Sequence, residues 1–110
     1  MADSYGLTES DRAQMIAAIR SFEEIATVVL FGSRAKGNYK PGSDVDLAVK
    51  GDRITHRTIA QLADLLNEEL PLPYYFDVVH YNGLESQPLA DPIDRVGVVI
   101  YDRASALNPI

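Results

Sequence analysis

The sequence contains no cysteine, which excludes disulfide bonds and metal sites built on thiolate ligands. It also has no apolar run close to the roughly 20 residues that cross a bilayer. The first residues, 1–5, are polar and lack the basic and apolar regions of a secretory signal. These absences predict a cytoplasmic protein that does not bind a membrane.

Clustered positive charge is missing as well. The chain has 10 Lys and Arg against 16 Asp and Glu, and its formal net charge is −6. Contacts to nucleic-acid phosphates need clustered Lys and Arg, so we expect no direct binding to nucleic acid. An acidic excess usually gives only a solvated surface, but a few carboxylates can hold a metal ion, and their positions decide which ones.

The length of 110 residues suits one compact domain with a modest core. We predict a single domain over 1–110, with its core at about 8–102 and a loose tail at 103–110. Hydrophobic residues make up 46% of the chain and charged residues 24%, as in ordinary globular proteins.

Helical and strand-like patterns alternate along the chain. Thr8 and Thr55 are predicted to cap two helices, of which the first closes at Glu24 and the second is broken by Pro71. Four apolar runs are predicted as strands, and two shorter segments as helical. The strands are expected at 26–31, 43–50, 74–80 and 98–101, and the short helices at 34–36 and 88–96. This order predicts an α/β (α+β) fold with a small mixed sheet of three or four strands and flanking helices.

A Gly-Ser turn directly follows the first predicted strand. Backbone N–H groups at such a strand-to-helix junction attract anions, and Gly32 lets a phosphate approach the main chain. The hydroxyl of Ser33 adds a further donor. An ordinary turn with no ligand remains the alternative for this pair taken alone.

Two aspartates lie on the second predicted strand. Alternation places Asp44 and Asp46 on one face, with backbones about 6.6 Å apart. Carboxylates at that spacing can converge on Mg²⁺, which prefers oxygen ligands. The alternative is that both simply face solvent, although Asp is a poor strand former.

A third carboxylate, Asp77, interrupts an otherwise apolar strand. It is either exposed on an edge strand or, if its strand lies beside that of Asp44 and Asp46, part of one acid cluster. Three uncompensated carboxylates would repel one another, so a cluster implies a bound cation. A phosphate-binding turn beside a cation site fits a nucleoside triphosphate with its metal.

The combination of these residues resembles the signature of the DNA polymerase β-like nucleotidyltransferase superfamily. Ten residues separate Gly32-Ser33 from Asp44-x-Asp46, and Asp77 lies on a later strand. The resemblance is greatest to the minimal nucleotidyltransferase branch, the MNT-type antitoxins encoded beside HEPN-domain toxins. It covers about residues 8–102 and extends to the flanking Leu30-Phe31, Leu47-Ala48-Val49 and Gly97…Ile100-Tyr101.

The resemblance implies a nucleotidyltransferase core with assigned site residues. Asp44, Asp46 and Asp77 would bind Mg²⁺, and Asp77 would also help to deprotonate the attacking hydroxyl. Gly32 and Ser33 would hold the β- and γ-phosphates of ATP. The reaction would transfer AMP, with release of pyrophosphate, to a tyrosine of a partner HEPN ribonuclease and silence that toxin in a hetero-oligomer.

Polar residues around this motif are secondary candidates. Arg34 and Lys36 are expected to neutralise phosphate charge, or, as the alternative, to be merely solvated. Ser43 either orients Asp44 or is a turn residue. His80 stands where related sequences often carry an acidic or polar residue, and it either touches the nucleotide or simply ends its strand.

Three other functions remain open from the sequence. The protein could neutralise a toxin by contact alone, with weak nucleotide binding, or be a subunit of a small-molecule (antibiotic) nucleotidyltransferase. A purely structural protein is the third. The complete set of Asp44, Asp46 and Asp77 favours catalysis over contact, and the absence of a second domain in 1–110 argues against the antibiotic-modifying enzyme.

Overall fold

The structure, a computed structural model, describes residues 5–40, 42–81 and 97–103. Within these ranges, helices flank a four-stranded mixed sheet, which confirms the predicted fold class. No helix among them is both long and apolar enough to cross a bilayer. The elements are α1 (Glu9–Arg20), β1 (Thr27–Phe31), α2 (Gly32–Lys36), β2 (Val45–Lys50), α3 (His56–Asp64), a π-helical segment (Leu65–Glu69), β3 (Phe76–His80) and β4 (Val98–Asp102).

The strand order in the sheet is β3-β2-β1-β4. Strand β1 pairs antiparallel with both β2 and β4, whereas β2 and β3 are parallel. A parallel pair needs a crossover connection, and α3 with the π-helical segment provides it. This crossover makes β3 the neighbour of β2, as the clustering of the three aspartates requires.

Both longer helices begin at a reciprocal cap. Thr8 Oγ1 accepts a hydrogen bond from the Asp11 amide at 3.0 Å, and the Asp11 carboxylate accepts one from the Thr8 amide at 3.0 Å. Thr55 and Thr58 form the same arrangement at α3. These side chains satisfy backbone N–H groups that have no partner within the helix, which confirms both predicted starts.

The two faces of the sheet differ in what they carry. Side chains from alternate strand positions on one face pack against the helices and form the main core. The opposite face carries a smaller apolar cluster beside acidic residues of β2 and β3, so the site is on the face away from the main core. The main core includes Met15, Ile19, Val28, Leu30, Leu47, Val49, Leu62, Leu66, Phe76 and Ile100.

Several predicted boundaries are wrong by a few residues. Helix α1 ends at Arg20 and not at Glu24, because the Ser21 hydroxyl donates to the Ala18 carbonyl at 2.6 Å and competes with the helical pattern. Strand β2 begins at Val45, so Asp44 lies just before it. The expected helix at 88–96 lies outside the described residues.

Candidate active site

The Gly-Ser turn lies directly against a carboxylate. Helix α2 begins at Gly32, without a linker after β1. Gly32 has a φ of 78°, a conformation that favours glycine, and a Cβ there would overlap the Asp46 carboxylate. Glycine is therefore required both by the backbone and by this close approach, which brings the predicted phosphate-binding turn to the acidic residues.

Asp46 and Asp77 are direct partners across the parallel strands β2 and β3. Paired residues of parallel strands point to the same face, so the two carboxylates lie side by side. β3 is an edge strand of the described sheet, and Asp77 is exposed. Both alternatives from the sequence therefore apply to Asp77, because it is exposed on an edge strand and also lies beside Asp46.

Asp44 completes the acidic group from the loop before β2. Its neighbour Val45 donates its amide to the carbonyl of Tyr75 at 2.9 Å, which holds the start of β2 against the start of β3. Partial burial raises the pKa of Asp46 above its ordinary value, and the charges of Asp77 and Asp44 raise it further. The three aspartates are therefore close enough to interact electrostatically.

The donor set fits a hard divalent cation that has other ligands as well. Mg²⁺ commonly takes one or two protein carboxylates and completes its shell with phosphate oxygens and water. The paired Asp46 and Asp77 supply such carboxylates, and a cation would offset the burial and the repulsion that together raise the pKa of Asp46. Among the residues described, no three His, Cys, Asp or Glu side chains by themselves form a metal-holding group. The ligand set Asp44, Asp46 and Asp77 stays a prediction.

Arg34 is buried between the turn and the acidic loop, with only 1% of its surface exposed. Its Nε and Nη2 donate to the carbonyl of Ser43 at 3.2 and 2.8 Å, and its Nη1 donates to the carbonyl of Tyr5 at 2.9 Å. These contacts give the guanidinium an internal role that the sequence did not predict. The predicted contact of Arg34 with phosphate stays a prediction.

Residues 13–106 match the family described as polymerase beta, nucleotidyltransferase. The chain belongs to this family. The matched range includes the Gly-Ser turn and all three aspartates, and it confirms the superfamily resemblance found in the sequence. No curated protein matches the chain.

The fold of this nucleotidyltransferase is also similar to solved structures of toxin–antitoxin complexes. One is a toxin–antitoxin complex with AMP-PNP, with a TM-score of 0.70 and 21% identity over 84% of this chain and 73% of that chain. A second is a MntA–HpeT toxin–antitoxin variant with two Asp-to-Glu substitutions, with a TM-score of 0.69 and 19% identity over 83% of this chain and 73% of that chain. A third is a tri-AMPylated Shewanella oneidensis HEPN toxin in complex with MNT antitoxin, with a TM-score of 0.64 and 19% identity over 84% of this chain and 71% of that chain. At these identities the similarity shows a shared fold.

Two further polar candidates of this nucleotidyltransferase, Ser43 and Lys36, differ in their contacts. Ser43 Oγ accepts from the Lys40 amide at 2.8 Å, which favours the turn role over orientation of Asp44. Lys36 is exposed at the end of α2 and free of the core, as a phosphate partner or a solvated side chain would be. Its phosphate contact, like those of Gly32 and Ser33, stays a prediction.

His80 is placed on the other side of the sheet from the acids. It is three positions after Asp77 on β3, so strand alternation directs the two side chains to opposite faces. Its Nε2 is buried and has no hydrogen-bond partner within the described ranges. The structure therefore favours the strand-end histidine over a nucleotide contact.

Two positioning contacts had no signal in the sequence. Asn67 lies on the π-helical segment. Its side-chain Nδ2 donates to the Phe76 carbonyl at 3.0 Å, and its Oδ1 accepts from the backbone N–H of Phe76 at 2.7 Å. It thereby fixes the residue before Asp77. The rings of Tyr39 and Tyr74 lie 5.2 and 4.9 Å from the Arg34 guanidinium carbon. Contacts between such distant positions leave no local pattern.

Proposed function

We propose that this nucleotidyltransferase is an antitoxin that transfers AMP from ATP to a tyrosine hydroxyl of a partner HEPN ribonuclease and so neutralises it. The observation that carries the proposal is the pairing of Asp46 with Asp77 directly beside Gly32. The class of partner is supported by the similarity of the fold to chains from HEPN–MNT complexes.

The triphosphate is bound at the turn that begins α2. Backbone N–H groups of a first helical turn have no partner within the helix, and Gly32 allows phosphate oxygens to reach them. Ser33 donates its hydroxyl. Lys36, exposed on the same short helix, lowers the repulsion between the phosphates and the acidic group.

In this proposal, Asp44, Asp46 and Asp77 would hold Mg²⁺. When bound, Mg²⁺ neutralises charge on the phosphates and makes the phosphorus more susceptible to attack. Asp46 is half-buried between Gly32 and Asp77, which fits it to fix the position of a ligand, whereas Asp77 and Asp44 are exposed. Burial and the charges of the neighbouring carboxylates disfavour the ionised form of Asp46 in the free protein, and a bound cation would offset both.

Asp77 is the group that accepts the proton of the incoming hydroxyl. It lies on the edge strand β3, where a protein acceptor can approach from solvent. The tyrosine oxygen forms a bond to the α-phosphorus, the bond from that phosphorus to the leaving pyrophosphate breaks, and the phenolic proton passes to the carboxylate. The products are an AMP-tyrosine diester and pyrophosphate.

The test is AMP transfer with labelled ATP, Mg²⁺ and the product of the adjacent gene, which the proposal expects to be the HEPN ribonuclease. Asp46→Asn should abolish the label on the partner, whereas Asp64→Asn should keep it, because Asp64 is exposed on α3. Neutralisation of the ribonuclease that survives Asp46→Asn, with no label in either protein, would show an antitoxin that acts by contact. Label on an added aminoglycoside instead of the partner would show a small-molecule transferase.

A further inference from the structure

We propose that Arg34 is a positioning residue that fixes the distance between the phosphate-binding turn and Asp44. Arg34 directly follows Ser33, and its guanidinium donates twice to the carbonyl of Ser43, the residue before Asp44. One side chain thus spans the two halves of the site. The catalytic part of this inference rests on the proposed function, whereas the structural part does not.

The guanidinium is itself held from three further sides. Its Nη1 donates to the Tyr5 carbonyl at 2.9 Å, and the rings of Tyr39 and Tyr74 lie within 5.2 Å of its central carbon. Tyr74 is anchored in turn, because its hydroxyl donates to the Asp11 carboxylate on α1 at 2.6 Å. Arg34 therefore cannot follow a movement of the loop without giving up contacts to the rest of the fold.

These contacts require a guanidinium and not merely a positive charge. Its planar group donates in several fixed directions and stacks on aromatic rings, whereas an ammonium is a compact charge on a flexible stem. At Arg34 the donors point both to Ser43 and to Tyr5 while the plane lies near two rings. Arg34→Lys keeps the charge, which acts on Asp46, and loses the geometry.

We call the contact of the Arg34 guanidinium with the Ser43 carbonyl the Arg34 brace. The position of Asp44 depends on this brace because Asp44 precedes β2. The strand ladder begins only at Val45, so Asp44 has no ladder position of its own. When the Ser43 carbonyl is released, only the local turn to Lys40 still holds the backbone on the N-terminal side of Asp44. Displacement of a catalytic group by about 1 Å can cost about 100-fold in rate, so we expect kcat of Arg34→Lys to fall roughly 10- to 100-fold.

The experiment compares Arg34→Lys with Arg12→Lys in the full chain. Arg12 is the matched control, because its Nη1 also donates to a backbone carbonyl, that of Leu7, at 2.9 Å. Amide hydrogen exchange should become faster at residues 42–45 in Arg34→Lys, while β1 stays protected. Arg12→Lys should leave exchange at 42–45 unchanged.

Transfer kinetics give the second measurement. In Arg34→Lys, kcat should fall and more Mg²⁺ should be needed for half-maximal rate, while KM for ATP changes little because the turn is intact. Unchanged exchange at 42–45 would overturn the proposal. A raised KM for ATP with unchanged kcat would also overturn it, because that result identifies Arg34 as a phosphate ligand.

A second variant covers the case in which Arg34→Lys does not fold. Gly6→Ala keeps the arginine at position 34, but a Cβ at Gly6 would overlap Arg34 Nη1 and the Tyr39 ring, so that one of these side chains must shift. It should therefore loosen the same brace from the side of Tyr5 and speed exchange at 42–45, and an unchanged pattern there would contradict the proposal. If the wild type transfers no AMP, the proposed function fails, and the exchange comparison still decides the role of Arg34.

Discussion

Asp46 and Asp77 are register partners on the parallel strands β2 and β3, so their side chains lie side by side on one face of the sheet. Partial burial and the charges of Asp77 and Asp44 raise the pKa of Asp46, so its ionised form is disfavoured in the folded protein. A carboxylate whose ionised form is disfavoured in the free protein is typical of a functional site, where a bound ligand of opposite charge stabilises that form.

The first prediction concerns the stability of the metal-free protein. Because the folded pKa of Asp46 is raised, its ionisation lowers stability as pH rises past the ordinary value of 3.8. Asp46→Asn should therefore increase the free energy of unfolding at neutral pH, by up to about 1 kcal/mol after solvent screening. Urea denaturation should show this gain shrinking as the pH falls through the raised pKa of Asp46 towards 3.8, and adding Mg²⁺ should stabilise only the wild type. A loss of stability in Asp46→Asn would contradict the repulsion.

The second prediction separates backbone strain from crowding at the turn. Gly32 and Gly37 both have positive φ, 78° and 88°, but a Cβ at Gly37 would meet nothing within 4 Å. Gly37→Ala should cost only the backbone term of about 1–2 kcal/mol. Gly32→Ala should cost more and abolish ATP binding, because its Cβ would displace the Asp46 carboxylate. Chemical denaturation and titration calorimetry measure the two effects, and equal losses in both variants would contradict the close approach.

The third prediction concerns the pH dependence of the Tyr74–Asp11 hydrogen bond. Partial burial raises the pKa of Asp11, but hydrogen bonds from Tyr74 and Thr8 outweigh it and leave the pKa below its ordinary value of 3.8. Such a group adds stability above its unfolded pKa and loses it as pH falls through the folded pKa.

Tyr74→Phe should therefore lower the free energy of unfolding at neutral pH by about 1.5–3 kcal/mol, the usual contribution of a hydrogen bond to a charged group. The deficit should shrink when denaturation is repeated well below pH 3.8. Transfer activity should be retained, because the ring that lies near Arg34 is unchanged. A deficit that stays constant with pH would show that the hydroxyl stabilises the fold in another way.

The fourth prediction tests the assignment of His80 to the face opposite the acids. His80→Leu should leave AMP transfer unchanged and should not lower the free energy of unfolding, because it removes a buried nitrogen without a partner in the described part of the chain. Thermal denaturation and the transfer assay measure both. Loss of transfer in a folded variant would place His80 near the nucleotide after all.

Much of the fold could be predicted because its signals are local. Alternating apolar residues indicated the strands, and the capping threonines Thr8 and Thr55 indicated the helix starts that the structure confirms. Strand ends were less accurate. Asp44 continues the pattern in sequence but lies before the first ladder pair of β2, and the hydroxyl of Tyr74 donates to Asp11 on α1. The prediction that Asp77 clusters with the other acids depended on strand order, which periodicity does not determine.

The role of Arg34 could not be predicted for a related reason. A basic residue after a Gly-Ser turn has the same local pattern whether it binds phosphate or braces a loop. The distinction depends on the Tyr5 carbonyl and the Tyr74 ring, both far from Arg34 in sequence. Asn67 gave no signal either, because its partner Phe76 lies beyond the two prolines that separate the helix from β3.

The crossover between β2 and β3 means that the acidic residues come together only late in folding. Asp46 and Asp77 become neighbours only after the chain has passed through α3 and returned to the sheet, and such non-local pairing forms slowly. A nascent or partly unfolded molecule can contain the complete Gly-Ser turn and still lack the paired carboxylates. Nucleotide consumption would then be confined to chains whose topology is finished.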